Sequence, residues 1–476
     1  MEWEMVIGLE THVELSTRTK AFCSCSTAFG AEPNTQCCPV CTGMPGALPV
    51  FNRKVLEYSA KAAMALNCKV TKVSRFDRKN YFYPDLPKGY QISQLYLPIG
   101  RDGFLPVEVK GEEKRIGIHE LHMEEDAGKL IHDEETGVTR VDYNRCGVPL
   151  IEIVTEPDFR SSDEVTAYLE RLRLVMLYLG ISDCKMQEGS LRCDINLSLR
   201  PKGTDKLGTR TEMKNLGSFR AVARAIAYES ERQRQVLEAG GHILQETRRW
   251  DEDRNVSVSM RTKEDAKDYR YFPEPDLPAA ELTEQALAEL RARIPELAHE
   301  KQGRYMRELG LSLQDSLLLT ERKALAEYYE TLLACGVGAK EGANWIMTDL
   351  LRLMKEHHME PEDLKLRPER LARVITMTAE GRLNRGKGAE VLAGIFLSDE
   401  EPENYVKTHG LEQIRDDALL KEVVCQVLVN NSDQLNEYRA GKEKLFGFFV
   451  GQCMRQLKGK ADPKAIGEAL RRQLNG

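Results

Sequence analysis

VIGLETHVEL, residues 6–15, alternates from Leu9 onward: Glu10, His12 and Glu14 share one side, and Leu9, Thr11, Val13 and Leu15 share the other. Successive strand side chains point to opposite faces, so the stretch reads as a β-strand with one face for packing and one for chemistry. The pattern recurs in LRCDINLSLR (191–200), where Arg192, Asp194, Asn196, Ser198 and Arg200 oppose Leu191, Cys193, Ile195, Leu197 and Leu199. It recurs around Arg210, Glu212 and Lys214, and more weakly at Glu152 in LIEIV (150–154). The solvated face of an antiparallel sheet also alternates in this way. Several strands that mix acids, His, Asn and Arg, with few Thr, Lys or Ser fillers, shift the balance towards a polar cleft.

Around these strands, residues 1–290 alternate short period-two runs with turn clusters such as YPDLPKGY (83–90) and YFPEPDLP (271–278). Two helices stand out here, one opening at Ser161/Ser162 and stopping near Gly180, the other running from Ser218 to Ala239, each with a capping residue at its start. Residues 291–405 change to helical periodicity, as in RKALAEYYETLLACG and NWIMTDLLRLMKEH. LSDEEPENYVKTHG (397–410) reads as an acidic linker, with a last helical segment over 411–476. The expected fold class is α+β: a sheet-rich first domain over 1–290, a helical domain over 291–405 and a small helical tail over 411–476. For 476 residues two or three domains are the ordinary expectation.

Composition narrows the function classes. Hydrophobic residues at 41% and charged residues at 30%, with no run approaching the ~20 apolar residues of a membrane helix, describe a soluble protein. The acidic amino terminus MEWEMVIGLETHVEL resembles neither a secretory signal nor a transit peptide, which points to a cytoplasmic protein. A net charge of -7 argues against a protein that coats nucleic acid along its whole surface, so any RNA contact is local. From Gly441 onward Lys442, Lys444, Arg455, Lys458, Lys460, Lys464, Arg471 and Arg472 face Glu443, Asp462 and Glu468, a net of +5. That patch suits phosphate contacts, although a solvated helical face is also lysine-rich.

Two stretches carry metal chemistry. HELHMEEDAGKL (119–130) holds His119, His122, Glu124, Glu125, Asp126 and Lys129. Its acids fit a solvated loop, its two histidines a helical metal pair, or the whole stretch hard oxygen ligands for magnesium with a lysine for phosphate, since no GxxxxGK[ST] loop occurs. FCSCSTAFGAEPNTQCCPVCTG (22–43) contains five of the twelve cysteines. Cys23 and Cys25 form one knuckle and Cys38 and Cys41 another, a spacing suited to tetrahedral zinc; a redox pair is disfavoured without a thioredoxin-like βαβ pattern. Cys37 is spare. Four thiolates leave no open position, so such a zinc is structural.

Taken together, IGLETHVEL, KAFCSCSTAFGAEPN with CPVCTGMPGALPVFN, KNYFYPDLPKGYQISQ, HMEEDAGKLIH, VDYNRCGVPLIEIVTEPD, SLRCDINLSLR, TEMKNLGSFRAVARAI, DYRYFPEPDLP and GFFVGQCMRQLKGKADP make the sequence resemble, nearly end to end, the GatB/GatE family. Within that family it is most similar to the B subunits of the heterotrimeric glutamyl/aspartyl-tRNA amidotransferases. The resemblance implies a cradle-shaped α+β domain, a helical domain and a tail that grips tRNA. It also implies ATP and magnesium, which serve to phosphorylate the side-chain carboxylate of Glu-tRNA(Gln) or Asp-tRNA(Asn) before ammonia displaces the phosphate. On that reading Glu10, His12, Glu124, Glu125 and Glu152 surround the metal and ATP, with Glu10, His12, Glu125 and Glu152 as magnesium ligands, and Asp194 and Glu212 close the site. Lys129, Asn144, Arg145 and Lys214 would contact phosphate or substrate. No nucleophile elbow or Ser-Ser-Lys amidase signature is present, so ammonia would come from a partner A subunit with glutaminase activity, with a small C subunit as clamp. A tRNA-binding adaptor without catalysis is the alternative. Gly217, the doubled Cys37-Cys38 and NRGKGAEVL (384–392) depart from the family pattern.

Overall fold

A computed structural model describes every residue except 1, 134, 263–267, 399, 413–416, 440, 458–460, 462 and 475–476. Lys458, Lys460 and Asp462 of the basic tail therefore lie outside the described residues. The chain divides into two compact units, Met1–Ala298 and His299–Gly476.

The first unit is built on one nine-stranded sheet. Its strands, in chain order, are β1 (Trp3–Glu14), β2 (Lys69–Val70), β3 (Gly100–Val109), β4 (Glu112–Glu125), β5 (Pro149–Thr155), β6 (Leu191–Pro201), β7 (Thr211–Lys214), β8 (Glu246–Asp251) and β9 (Val256–Thr262). Their spatial order is β9-β8-β7-β6-β1-β5-β4-β3-β2. The first strand of the chain is thus the central one, and every pair is antiparallel except β7 with β8. The alternation read in VIGLETHVEL is the alternation observed: Leu9, Thr11 and Val13 are buried, while Glu10, His12 and Glu14 lie on the opposite face.

Three helices are α1 (Arg53–Ala65), α2 (Ser162–Leu179) and α3 (Phe219–Glu238). Contacts of α1 and α2 with β3, and of α3 with β6, cover the apolar side of the sheet. Ile151, Ile153, Ile195, Leu197, Leu169, Leu172, Val222 and Ile226 are all at most 1% exposed there. Each such side chain contributes about 1.5–3 kcal/mol, enough to fix which face of β1 turns outward. Both expected helices start where their caps predict. Ser161 accepts from the Glu164 amide and Ser218 from the Ala221 amide, and α2 ends on Gly180 at φ 65°. Helix α1 was not anticipated, although Asn52 caps it by accepting from the Lys54 amide.

The second unit is helical. One core gathers around Tyr329, Trp345, Leu371, Ile375 and Leu392, and another around Val424, Phe449, Cys453, Ile466 and Leu470. The stretch read as a linker is largely helix, Pro402–His409. Pro402 occupies its first turn, where no amide donor is needed, Gly410 ends it in the left-handed region, and Val406 is buried in the first core. Its acids and proline are therefore helix punctuation. No helix among the described residues is long and apolar enough to cross a membrane.

Candidate active site

Register places the polar residues. His12 of β1 faces Arg192 of β6 on one side and Glu152 of β5 on the other, and Glu152 in turn faces His122 of β4. One position along, Glu10 faces Asp194. Directly opposed side chains sit within about 4.5–5.5 Å at Cβ, so residues distant in sequence become neighbours.

Two donor groups result. In the first, His12 Nε2 lies 3.4 Å from Glu152 and 3.5 Å from Glu124. His122 Nε2 reaches the same Glu152 at 2.9 Å and Glu124 at 3.8 Å. In the second, Glu10, Asp194 and Glu212 converge, with one donor atom each inside a 4.8 Å cluster. Asn196 donates to Glu10 at 3.0 Å, and Lys214 bonds Asp194 and lies 2.9 Å from Glu212. Oxygen donors with one imidazole suit a hard divalent cation such as magnesium in the first group, and the all-carboxylate second group suits it equally.

The electrostatics follow from this crowding. Burial alone would lower both imidazoles, but Glu152 and then Glu124 overcome it, raising His12 and lifting His122 to about 10. Burial would raise Glu152, yet the two imidazoles hold it well below the usual carboxylate range. Glu10 is raised, first by burial and then by Glu152. Lys214 and Lys79 are raised because Asp194 and Glu212, and for Lys79 chiefly Glu124, outweigh the burial that would lower them.

Sequence reasoning singled out neither Lys79 nor the pairing of His122 with Glu152, and read Tyr271, whose phenol is raised by burial and lies near Lys79, Glu152 and Glu124, as part of a turn without a catalytic role. Lys79 lies in the short strand Asp77–Asn80, which is flanked by Tyr90–Ser93 and Phe272–Pro273 from distant parts of the chain.

The remaining predicted residues are placed differently. HELHMEED is neither loop nor helix: β4 runs through Glu125, so His119 and His122, three apart, face opposite ways, and the exposed His119 pairs with Glu156 at 2.9 Å. Glu125 is brought into neither donor group. It alternates away from Glu124, pairs with Lys88 and accepts the Ile92 amide at 3.0 Å. Asn144 accepts the Gln36 amide at 2.8 Å and donates to the Glu32 carbonyl at 2.7 Å, so it anchors the cysteine loop. Arg145 donates to the carbonyls of Ala127 and Gly128 at 3.1 and 2.9 Å and pairs with Asp126. Lys129, at the start of the strand Lys129–Asp133, is exposed and lines a cavity of about 660 Å³ shared with Glu14, Arg192, Asp194 and Gly217.

Cys23, Cys25, Cys38 and Cys41 gather with their sulfurs within 4.8 Å of one another, and Cys37 stays outside. Cys38 and Cys41 are 3.9 Å apart at sulfur, close to the edge of a tetrahedron of about 3.8 Å set by ~2.3 Å zinc–sulfur bonds. The hydrogen bond from Cys23 outweighs burial and draws Cys41 down to about 4, and the same bond raises Cys23. The donor set fits zinc.

A sheet with one face packed on helices, and the other bearing carboxylates, imidazoles and ammonium groups drawn from distant segments, defines the catalytic domain of an enzyme, followed here by an all-helical part. The family model of the GatB/GatE catalytic domain matches residues 5–288, and that of the GatB domain matches 327–474. Among the relatives, the B subunit of the aspartyl/glutamyl-tRNA(Asn/Gln) amidotransferase of Caldicellulosiruptor saccharolyticus is 52% identical, over 100% of this chain and 99% of its own. That of Lachnoclostridium phytofermentans is 53% identical over 99% of both, and that of Moorella thermoacetica 50% over 100% of both. The chain belongs to the GatB/GatE family.

Proposed function

We propose that this chain is the tRNA-binding, ATP-using subunit of a cytoplasmic amidotransferase that converts Glu-tRNA(Gln), Asp-tRNA(Asn) or both to the amide. The observation that carries the reading is the pair of donor groups on one face of β1, β4, β5, β6 and β7, bordered by Lys79 and Lys214. A carboxylate is a poor electrophile, so the side-chain oxygen of the esterified amino acid attacks the γ-phosphorus of ATP, ADP leaves, and the acyl phosphate gains a leaving group. Ammonia then attacks the acyl carbon, phosphate departs, and one proton passes to the row of carboxylates and imidazoles. Lys79 and Lys214 supply positive charge where the phosphoryl group transfers. His12, Glu124 and Glu152 would hold one magnesium and Glu10, Asp194 and Glu212 another; when bound, the metal neutralises charge on the phosphate oxygens. Cys23, Cys25, Cys38 and Cys41 would hold a structural zinc.

The relatives are named as B subunits, which supports an assembly of several chains: a glutaminase A subunit that supplies ammonia through an internal passage, and a small C subunit. The tail over 411–476 would contact the tRNA body, whose A-form shape is read largely through its backbone. In the reconstituted assembly, His12→Ala and Glu152→Gln should each lower glutamine-dependent amide formation by about 10²-fold or more while the charged tRNA still binds. Full activity in both variants removes the catalytic reading. ATP-independent, phosphate-silent binding of charged tRNA by the unaltered assembly favours the adaptor instead.

A further inference from the structure

Lys20 is wholly buried, and its ammonium donates to Cys41 Sγ at 3.4 Å and to the Tyr143 carbonyl at 3.3 Å. Among the described residues it pairs with no carboxylate. A buried ammonium without a counter-charge is strongly disfavoured, so a fold keeps one only against negative charge. The group beside it is the four-thiol cluster, whose loading with a divalent cation leaves two negative charges in a site the protein largely covers. The lysine also stands at a junction. Its own amide donates to the Cys25 carbonyl at 3.0 Å, the Ala21 amide to Gly147 at 2.8 Å, and the Gly147 amide to Asp126 at 2.9 Å. A Cβ placed on Gly147, at φ 82°, would stand 3.5 Å from Cys41 Cβ, 3.5 Å from Lys20 Cδ and 3.7 Å from a Glu125 oxygen, so Gly147 lies between the cluster, Lys20 and the end of β4.

We propose that Lys20 is the buried counter-charge of the cysteine centre, a positioning residue that donates an N–H to the Cys41 sulfur and slows loss of the metal. This rests on the reading of the four cysteines as a zinc site. The ammonium cancels one of the two excess charges without occupying a coordination position, and its second bond, to Tyr143, keeps it aimed at sulfur. An arginine preserves the charge and the donors; a methionine preserves volume alone.

The test uses the full chain in its assembly, loaded with zinc, with metal content measured first and the rate of zinc transfer to a chromogenic chelator second. About one zinc per chain is expected for the unaltered protein, and its absence overturns the centre and the proposal together. With zinc present, Lys20→Met should release it at least tenfold faster, and Lys20→Arg within about threefold of the unaltered rate. An unchanged rate in Lys20→Met overturns the counter-charge role, as does an equally fast release from both variants. Should Lys20→Met fail to fold, Lys20→Gln takes its place: release several-fold faster supports the proposal, and an unaltered rate overturns it. Cobalt substitution adds a spectroscopic readout, since loss of the N–H to sulfur should move the sulfur-to-cobalt band to lower energy, and an unmoved band in the substituted variant counts against the bond.

Discussion

His12 Nε2 lies 3.5 Å from Glu124, and the pleat of β4 turns the adjacent Glu125 the other way, to pair with Lys88. Glu229, wholly buried on α3, had no signal at all. Its carboxylate accepts from Thr211 at 2.8 Å, Ser257 at 3.1 Å, Gln233 at 3.0 Å and Nη2 and Nε of Arg232 at 2.7 and 2.9 Å. Burial would raise it, but these bonds, Arg232 foremost, lower it. Glu229→Ala should therefore cost about 3–5 kcal/mol in denaturant unfolding, because Arg232 and three polar groups lose their acceptor. The lowered value also fixes a sign. Glu229 adds stability above its unfolded value of about 4.3 and loses it as pH falls through the folded value, so thermal melts of Glu229→Gln should show a shallower decline below pH 4 than the unaltered chain.

At the scale of elements, capping and periodicity located α2 and α3, because both signals lie within one turn of the helix end. Ser218→Ala should cost about 1 kcal/mol, read from the unfolding midpoint, since the Ala221 amide loses its acceptor. Gly180→Ala should cost a similar 1–2 kcal/mol for a different reason: no atom lies within 4 Å of a Cβ built there, so the penalty is the left-handed backbone alone. The segment 402–409 shows why composition misleads, for proline and acids at a helix start look like a linker until Val406 is seen in the core. The convergence of Glu10, Asp194 and Glu212 is likewise unreadable without strand order, since each was identified on its own strand but nothing local says that β1 lies beside β6.

For the molecule as a whole, opposite charge is segregated along the chain: an overall acidic protein carries a basic tail. Reversing Lys464, Arg471 and Arg472 to glutamate should weaken binding of charged tRNA and flatten its salt dependence by roughly one unit for every phosphate no longer neutralised, as read from affinities at several salt concentrations. An unchanged slope would place the RNA elsewhere. The order of the nine strands has a further cost, paid during synthesis. Of the nine strands, the one translated earliest becomes the middle of the sheet, yet its neighbours β5 and β6 begin at Pro149 and Leu191. At about 5–20 residues per second, β1 spends on the order of ten seconds or more with both backbone edges open before a partner exists. A nascent chain halted short of residue 149 should consequently be a strong client of chaperones that shield unpaired edges, and one halted beyond 201 a much weaker one.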